Sequence, residues 1–179
     1  DCKKGGSPTM EQPNNTTHFN CLTVILSSKE KQQQLLNEWK ENLLLDDSPN
    51  YTIVQKNWPV FPYLKLKDHV YLDISSKDIK STSSAYQSQL KLDSSWEKQS
   101  ADDLSLLEKI KLQLLHSLLA KRTQIIVEDA FDDLTIAETQ ELLDILCLLA
   151  RQKNQTILLF TNNTTIAHSP YIDHLEDAS

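Results

Sequence analysis

Two adjacent carboxylates, Glu128 and Asp129, follow a short apolar run, Gln124-Ile125-Ile126-Val127, and a second acidic pair, Asp132-Asp133, comes at once after them. The run is of the kind that forms a buried strand, and in α/β folds ligands gather outside the carboxyl ends of parallel strands. Paired acids at such an end can hold a metal ion and activate a water molecule. Their other role is structural: capping turns and holding the strand to the helix that follows. Polar residues close two further strand-like runs, Gln55 after Tyr51-Thr52-Ile53-Val54 and Thr161-Asn162-Asn163 after Thr156 to Phe160. The three cysteines, Cys2, Cys21 and Cys147, have no metal-ligand spacing. Cys147, in an apolar helical run, reads as a core residue, and no metal site is expected.

The elements that must position these groups alternate in type. Cys21 to Leu26 is a β-branched strand, and Ser27-Ser28 is an N-cap signal before a helix from Lys29 to Leu45. After the strand 51–54 come a proline-stiffened aromatic loop, Trp58 to Leu64, and a segment to about Leu72. Residues 73–103 are rich in Ser and Lys, with a short helix expected near Ser84–Leu92. A long amphipathic helix is expected from about Ala101, capped by Ser100, with a stripe of Leu104, Leu107, Ile110, Leu114, Leu115, Leu118 and Leu119. Another runs from Ile136 to about Lys153. Strands that are continuous apolar runs, alternating with helices, predict a mostly parallel sheet covered on both faces. Residues 1–20 read as a polar tail, and His174-Leu175-Glu176-Asp177 as a solvated acidic end.

Composition narrows function. The 179 residues fit one domain, 21–179, with 73–103 as an insertion. A net charge of −7 argues against sequence-independent binding of nucleic acid by this region. No apolar run reaches the ~20 residues of a membrane span, so membrane insertion is not expected and the expected location is the cytoplasm. Asn-x-Thr triplets such as Asn15-Thr16-Thr17 read as chance in a chain rich in Asn and Thr. The chain has 2 glycines, Gly5 and Gly6, so no glycine-lined phosphate cradle exists after residue 6.

The stretch from Leu104 to Thr135 resembles the signature-helix-to-Walker-B block of ATP-binding-cassette (ABC) ATPases, and aligns with it without a gap. Leu104-Ser105 and Glu108 match the signature, and Lys111 stands for its arginine. Glu128-Asp129 stand where the family has Asp-Glu, and Asp132 to Thr135 at its D-loop. Gln55 with Phe61-Pro62-Tyr63-Leu64 resembles the Q-loop and its continuation, and Asn162 holds the place of the switch histidine. Leu26 to Leu36 occupies the place of the phosphate loop. The resemblance implies a P-loop NTPase-like fold, here with a reduced helical subdomain and without the β arm, since the stretch between Leu36 and Gln55 is short.

Departures from that pattern decide the expected function. A P-loop needs glycines for converging N–H groups, a lysine for phosphate charge and a hydroxyl for Mg²⁺. Leu26 and Lys31 replace the glycines, Gln32 the lysine and Gln33 the hydroxyl, while Lys29 and Lys31 read as solvated helix lysines. Leu106 and Leu107, after Ser105, replace the signature glycines. The resemblance therefore implies an inactive cassette-like module with no catalytic residues and no cofactor, in which Glu128, Asp129 and Asn162 are relics. Gln55 has either a loop hydrogen-bonding or a surviving coupling role. The expected partner is a protein: a second copy, a regulator or a permease. The first expectation is the N-terminal domain of a bacterial transcriptional regulator, ahead of a LytTR-type DNA-binding domain. The alternatives are a non-hydrolysing transporter subunit, with Trp58 to Leu64 against a permease, and an unusual ATPase.

Overall fold

The computed structural model describes residues 22–47, 49–61, 63–151 and 155–178. The tail 1–20, Cys2, Cys21 and Pro62 lie outside them. Five parallel strands form one sheet: β1 (Leu22–Leu26), β2 (Tyr51–Val54), β3 (Gln124–Val127), β4 (Thr156–Thr161) and β5 (His174–Asp177). Their spatial order is β2-β3-β4-β1-β5, with Ile53 beside Ile126, Ile126 beside Leu158, and Val24 beside Leu159.

Alternation along each strand sends side chains to two cores. Leu22, Val24, Val54, Ile125, Val127, Ile157 and Leu159 enter the larger one, with α4 (Leu106–Leu119) and α5 (Ile136–Ala150). Ile25, Ile53, Ile126 and Phe160 enter the smaller one, where Leu35 and Leu36 of α1 (Lys29–Leu45) cover them. The sheet is thus covered on both faces, but unequally. α1 also fills most of the chain between β1 and β2, leaving no room for a β arm.

The helix expected from Ala101 begins later. Ser100 does accept an N–H, from Asp102, but it caps only a 3₁₀ turn over Ala101–Asp103. The α-helix starts at Leu106 because Ser105 and Glu108 form a reciprocal capping box, which satisfies two backbone donors at once. α4 is buried nearly all round: Leu112 joins the stripe, and the polar Lys111, Gln113 and Ser117 are buried too. The cause is a third layer. α2 (Leu66–Val70) and α3 (Ser76–Gln89) pack on its far side, so the insertion is reduced yet still closes over α4. The helix in that insertion begins at Ser76, not near Ser84, because Ser75 caps it through the N–H of Asp78.

The chain end is corrected as well. His174–Asp177 is not a solvated tail but an edge strand paired with β1, in which His174 and Glu176 are half-buried while Leu175 and Asp177 face solvent. Cys147 is half-buried and packs against the larger core.

The lack of glycine leaves a mark at helix ends. α3 and α4 both close with paired Schellman bonds: Lys91 to Ser88 with Leu92 to Gln87, and Lys121 to Leu118 with Arg122 to Ser117. This motif places one residue in the left-handed region, normally glycine. Here it falls to lysine, with φ 54° at Lys91 and 57° at Lys121. A Cβ there is unfavourable, so Lys91→Gly, at an exposed position, is expected to stabilise the fold by about 1 kcal/mol. An unchanged or lowered urea midpoint contradicts this.

Candidate functional site

The carboxyl ends of β2, β3 and β4 converge with the start of α1, and Gln113 from the middle of α4 reaches the end of β2, so Gln32, Gln55, Glu128, Asp129 and Asn162 meet there. The link from β1 to α1 is only Ser27-Ser28, and α1 is helical from Lys29 onward. Ser28 caps it by accepting the Lys31 N–H at 3.2 Å, and the Gln32 N–H already donates to the Ser28 carbonyl. The positions compared with a phosphate loop are therefore helix, and N–H groups a phosphate loop would present are engaged within it. Gln33 points along the exposed surface and donates to Asn37.

Gln32 does the opposite. Its side chain is buried, and its Oε1 accepts the backbone N–H of Asp129 at 2.9 Å. The residue in the place of the phosphate-binding lysine is thus tied to the end of β3.

The two acids divide their work. Glu128 Oε2 accepts the N–H of Lys56, just beyond β2, at 2.9 Å. Asp129 accepts two backbone N–H groups, from Phe131 on Oδ1 and from Asn162 on Oδ2, both at 3.1 Å. Asn162 thus meets the site through its backbone while its side chain stays exposed. Burial raises the Asp129 carboxyl above its ordinary value; the two N–H donors and Lys29 lower it and Asp132 raises it, but burial prevails. The second acidic pair is compensated by lysines. Asp132 pairs with Lys29 at 3.1 Å, and Asp133 with Lys56. The hydrogen bond it donates to Asp133, with the nearby carboxylates, holds the Lys56 ammonium above its usual range against a smaller opposing effect of burial. Among the described residues, no group of three or more His, Cys, Asp or Glu is placed to hold a metal ion.

Gln55 is held through its backbone. Its N–H donates to Gln113 Oε1 and its carbonyl accepts from Gln113 Nε2, both at 2.8 Å. Sequence reading missed Gln113, although a polar residue inside an apolar helix is a visible signal. It missed Lys56 too, which lies outside every motif compared. Ser105, Leu106 and Leu107 are the cap and first turn of α4, with Leu107 in the core.

The loop after Gln55 has two characters. Trp58 packs against the larger core and meets His69 edge-on, 6.3 Å between ring centroids. Phe61 stacks on His69 at 5.6 Å, and the His69 Nε2 donates to the Phe61 carbonyl at 3.0 Å. Phe61 is nevertheless 62% exposed, and Tyr63 96%. With Val60, Leu64 and Leu66 on one side and Gln99 to Asp102 on the other, this loop borders an open groove of about 640 Å³.

Comparison with solved structures is decisive for the fold. Over 88% of this chain and 73% of its own, cbiO1 from Clostridium perfringens, part of the ABC transporter complex cbiONQ, superimposes with TM-score 0.67 at 13% identity. The dimeric ATP-binding cassette MJ0796, in a post-hydrolysis state bound to ADP and Pi, does so with TM-score 0.70 at 11% identity, over 91% and 82%. The chain has the fold of an ATP-binding cassette. An ATP-binding subunit of another ABC transporter matches similarly, with TM-score 0.67 and 14% identity over 89% and 75%. No protein-family model and no curated protein matches the sequence. In this cassette fold Glu128, Asp129, Gln32 and Asn162 come together at one end of the sheet, while Ser105 to Leu107 start α4.

The raised Asp129 carboxyl has a consequence for stability. A folded state that holds a proton more tightly than the unfolded chain loses stability as pH rises through the window above the ordinary aspartate value of 3.8. Asp129→Asn cannot titrate there. The stability of the unaltered protein relative to this variant is therefore expected to fall as pH rises through that window, in urea midpoints measured for both. A difference that does not change with pH contradicts it.

Proposed function

We propose that the chain is a catalytically inactive cassette-like module that acts through protein contacts. The observation that carries this reading is Gln32. In the place of the lysine that would neutralise phosphate charge, it offers a neutral side chain whose oxygen is already bonded to the Asp129 N–H. Phosphoryl transfer relies on positioning and electrostatic stabilisation. The helical Lys29 to Gln33, and the leucines at 106 and 107, supply neither the backbone cradle nor the charge. Asp129, one methylene shorter than glutamate and engaged by two N–H groups, is poorly placed to activate water.

The partner is proposed to be a protein, in the first reading within a bacterial transcriptional regulator, where the cassette-like part responds and another domain binds DNA. That reading rests on sequence resemblance. A second reading, a non-hydrolysing transporter subunit, is favoured by a specific feature: the groove bordered by Phe61 and Leu64, beside the exposed Tyr63. Exposed aromatic side chains beside a groove are suited to an inserted helix or loop. No helix among the described residues is long and apolar enough to cross a membrane, so contact with a bilayer protein would run through such a groove.

Titration calorimetry with ATP and Mg²⁺, paired with a phosphate-release assay, tests the inactive reading. The expected outcome is neither binding heat nor turnover at millimolar nucleotide; micromolar affinity overturns it. Fractionation of native cells separates the partners. A transporter subunit sediments with membranes and is released by Phe61→Asp, whereas a regulator stays in the soluble fraction with or without that change.

A further inference from the structure

A pocket of about 200 Å³ is walled by β2, the loop after it, α2 and α4. Two histidines from different elements line it, His69 of α2 and His116 of α4, together with Thr52, Gln55, Trp58 and Gln113. They lie far apart in the sequence and in none of the motifs compared above. Each ring has one nitrogen engaged by a backbone carbonyl. His69 Nε2 meets the Phe61 carbonyl at 3.0 Å, and His116 Nδ1 meets the Val70 carbonyl at 2.8 Å. A carbonyl only accepts, so those nitrogens carry the N–H. In the neutral rings His69 Nδ1 and His116 Nε2 therefore keep a lone pair. Neither has a hydrogen-bond partner among the described residues, yet neither is shut off from solvent. The attachments also keep the rings near each other, since Val70, which holds His116, directly follows His69 in α2.

We propose that His69 Nδ1 and His116 Nε2 together bind one divalent transition-metal ion, which ties α2 to α4. A lone imidazole on a pocket wall is ordinary. Two that share a pocket, each with its N–H fixed by a carbonyl, are held as metal-binding histidines are held by their outer partners. The lining also selects the ion. Among the described residues no carboxylate faces this pocket, and no lysine or arginine repels a cation there. Calcium and magnesium take oxygen ligands, carboxylates above all, and find none here. Imidazole suits zinc, copper and nickel. Two histidines fill part of the shell of such an ion and leave the remaining positions to water.

Zinc ion alone, titrated into the full chain while the histidine ring nitrogens are followed by NMR, tests the site. One equivalent of zinc is expected to shift His69 Nδ1 and His116 Nε2 together and to leave the rings of His168 and His174 in place. Two variants keep the structural bond and remove only the ligand. In His69→Gln the amide N–H can take the place of Nε2–H on the Phe61 carbonyl, and in His116→Asn it can take the place of Nδ1–H on the Val70 carbonyl. Each is expected to weaken zinc binding, measured by calorimetry, by at least the roughly 10–100-fold that loss of even an outer partner costs. Zinc that moves other histidines but not these two rings overturns the site. So does affinity retained in either variant, or no response up to millimolar zinc. If a variant does not fold, the ring signals of the unaltered chain decide alone. Magnesium at the same concentration is expected to move neither ring, and an equal response to it overturns the assignment to a transition metal.

Discussion

Parallel strands end in backbone N–H and carbonyl groups that no neighbouring strand completes, and each such group, if buried and unpaired, costs about 1–3 kcal/mol. The carboxyl end of this sheet meets that requirement with its own side chains. Gln32 takes the Asp129 N–H, Glu128 the Lys56 N–H, Asp129 the Asn162 N–H, and Gln113 both groups of Gln55. The donors and acceptors come from α1, α4 and the carboxyl ends of β2, β3 and β4, so every bond ties two elements together. The charges balance locally as well, with Lys29 and Lys56 facing Asp132 and Asp133.

Absence of glycine acts on the same region from the backbone side. A phosphate loop depends on residues that adopt conformations closed to a Cβ, letting consecutive N–H groups converge. With Leu26 and Lys31 at those positions, the chain takes the ordinary alternative: two serines, a side-chain cap, and helix from Lys29. Left-handed residues stand instead in the turns that follow helices: lysine at the ends of α3 and α4, and Asp73, with φ 60°, past the end of α2. Strain is thus tolerated where it closes a helix and avoided where it would build a cradle.

The fold was legible because its signals are local and redundant. Apolar strands ending in polar residues fixed β1 to β4, and the extent of α1 was read correctly because Ser28 caps it and Asp46 ends it. What escaped depends on tertiary neighbours. Ser100 and Ser105 are both credible caps, and only the reciprocal Glu108 bond makes the second one start the α-helix. His174 to Asp177 has no apolar run of its own, and becomes a strand through pairing with β1. The positions of Glu128, Asp129, Gln32 and Asn162 were recoverable by comparison. Their partners were not, since a bond such as Gln32 to Asp129 spans 97 residues and no sequence spacing encodes it. Gln113 shows the intermediate case: its burial was hinted at by the helix around it, but its attachment to Gln55 was not.

These contacts also bear on the proposed reading, in which acids at the strand end remain without serving catalysis. A carboxylate that completes a backbone has its orientation set by the N–H groups it accepts. Asp129 has an N–H on each oxygen, and desolvation already disfavours its charged form. Each oxygen keeps a second lone pair, but the two N–H donors fix the orientation of the carboxylate. Glu128 accepts through one oxygen, from the Lys56 N–H. On the inactive reading proposed above, the carboxylates serve the structure of this sheet end through the backbone N–H groups they accept.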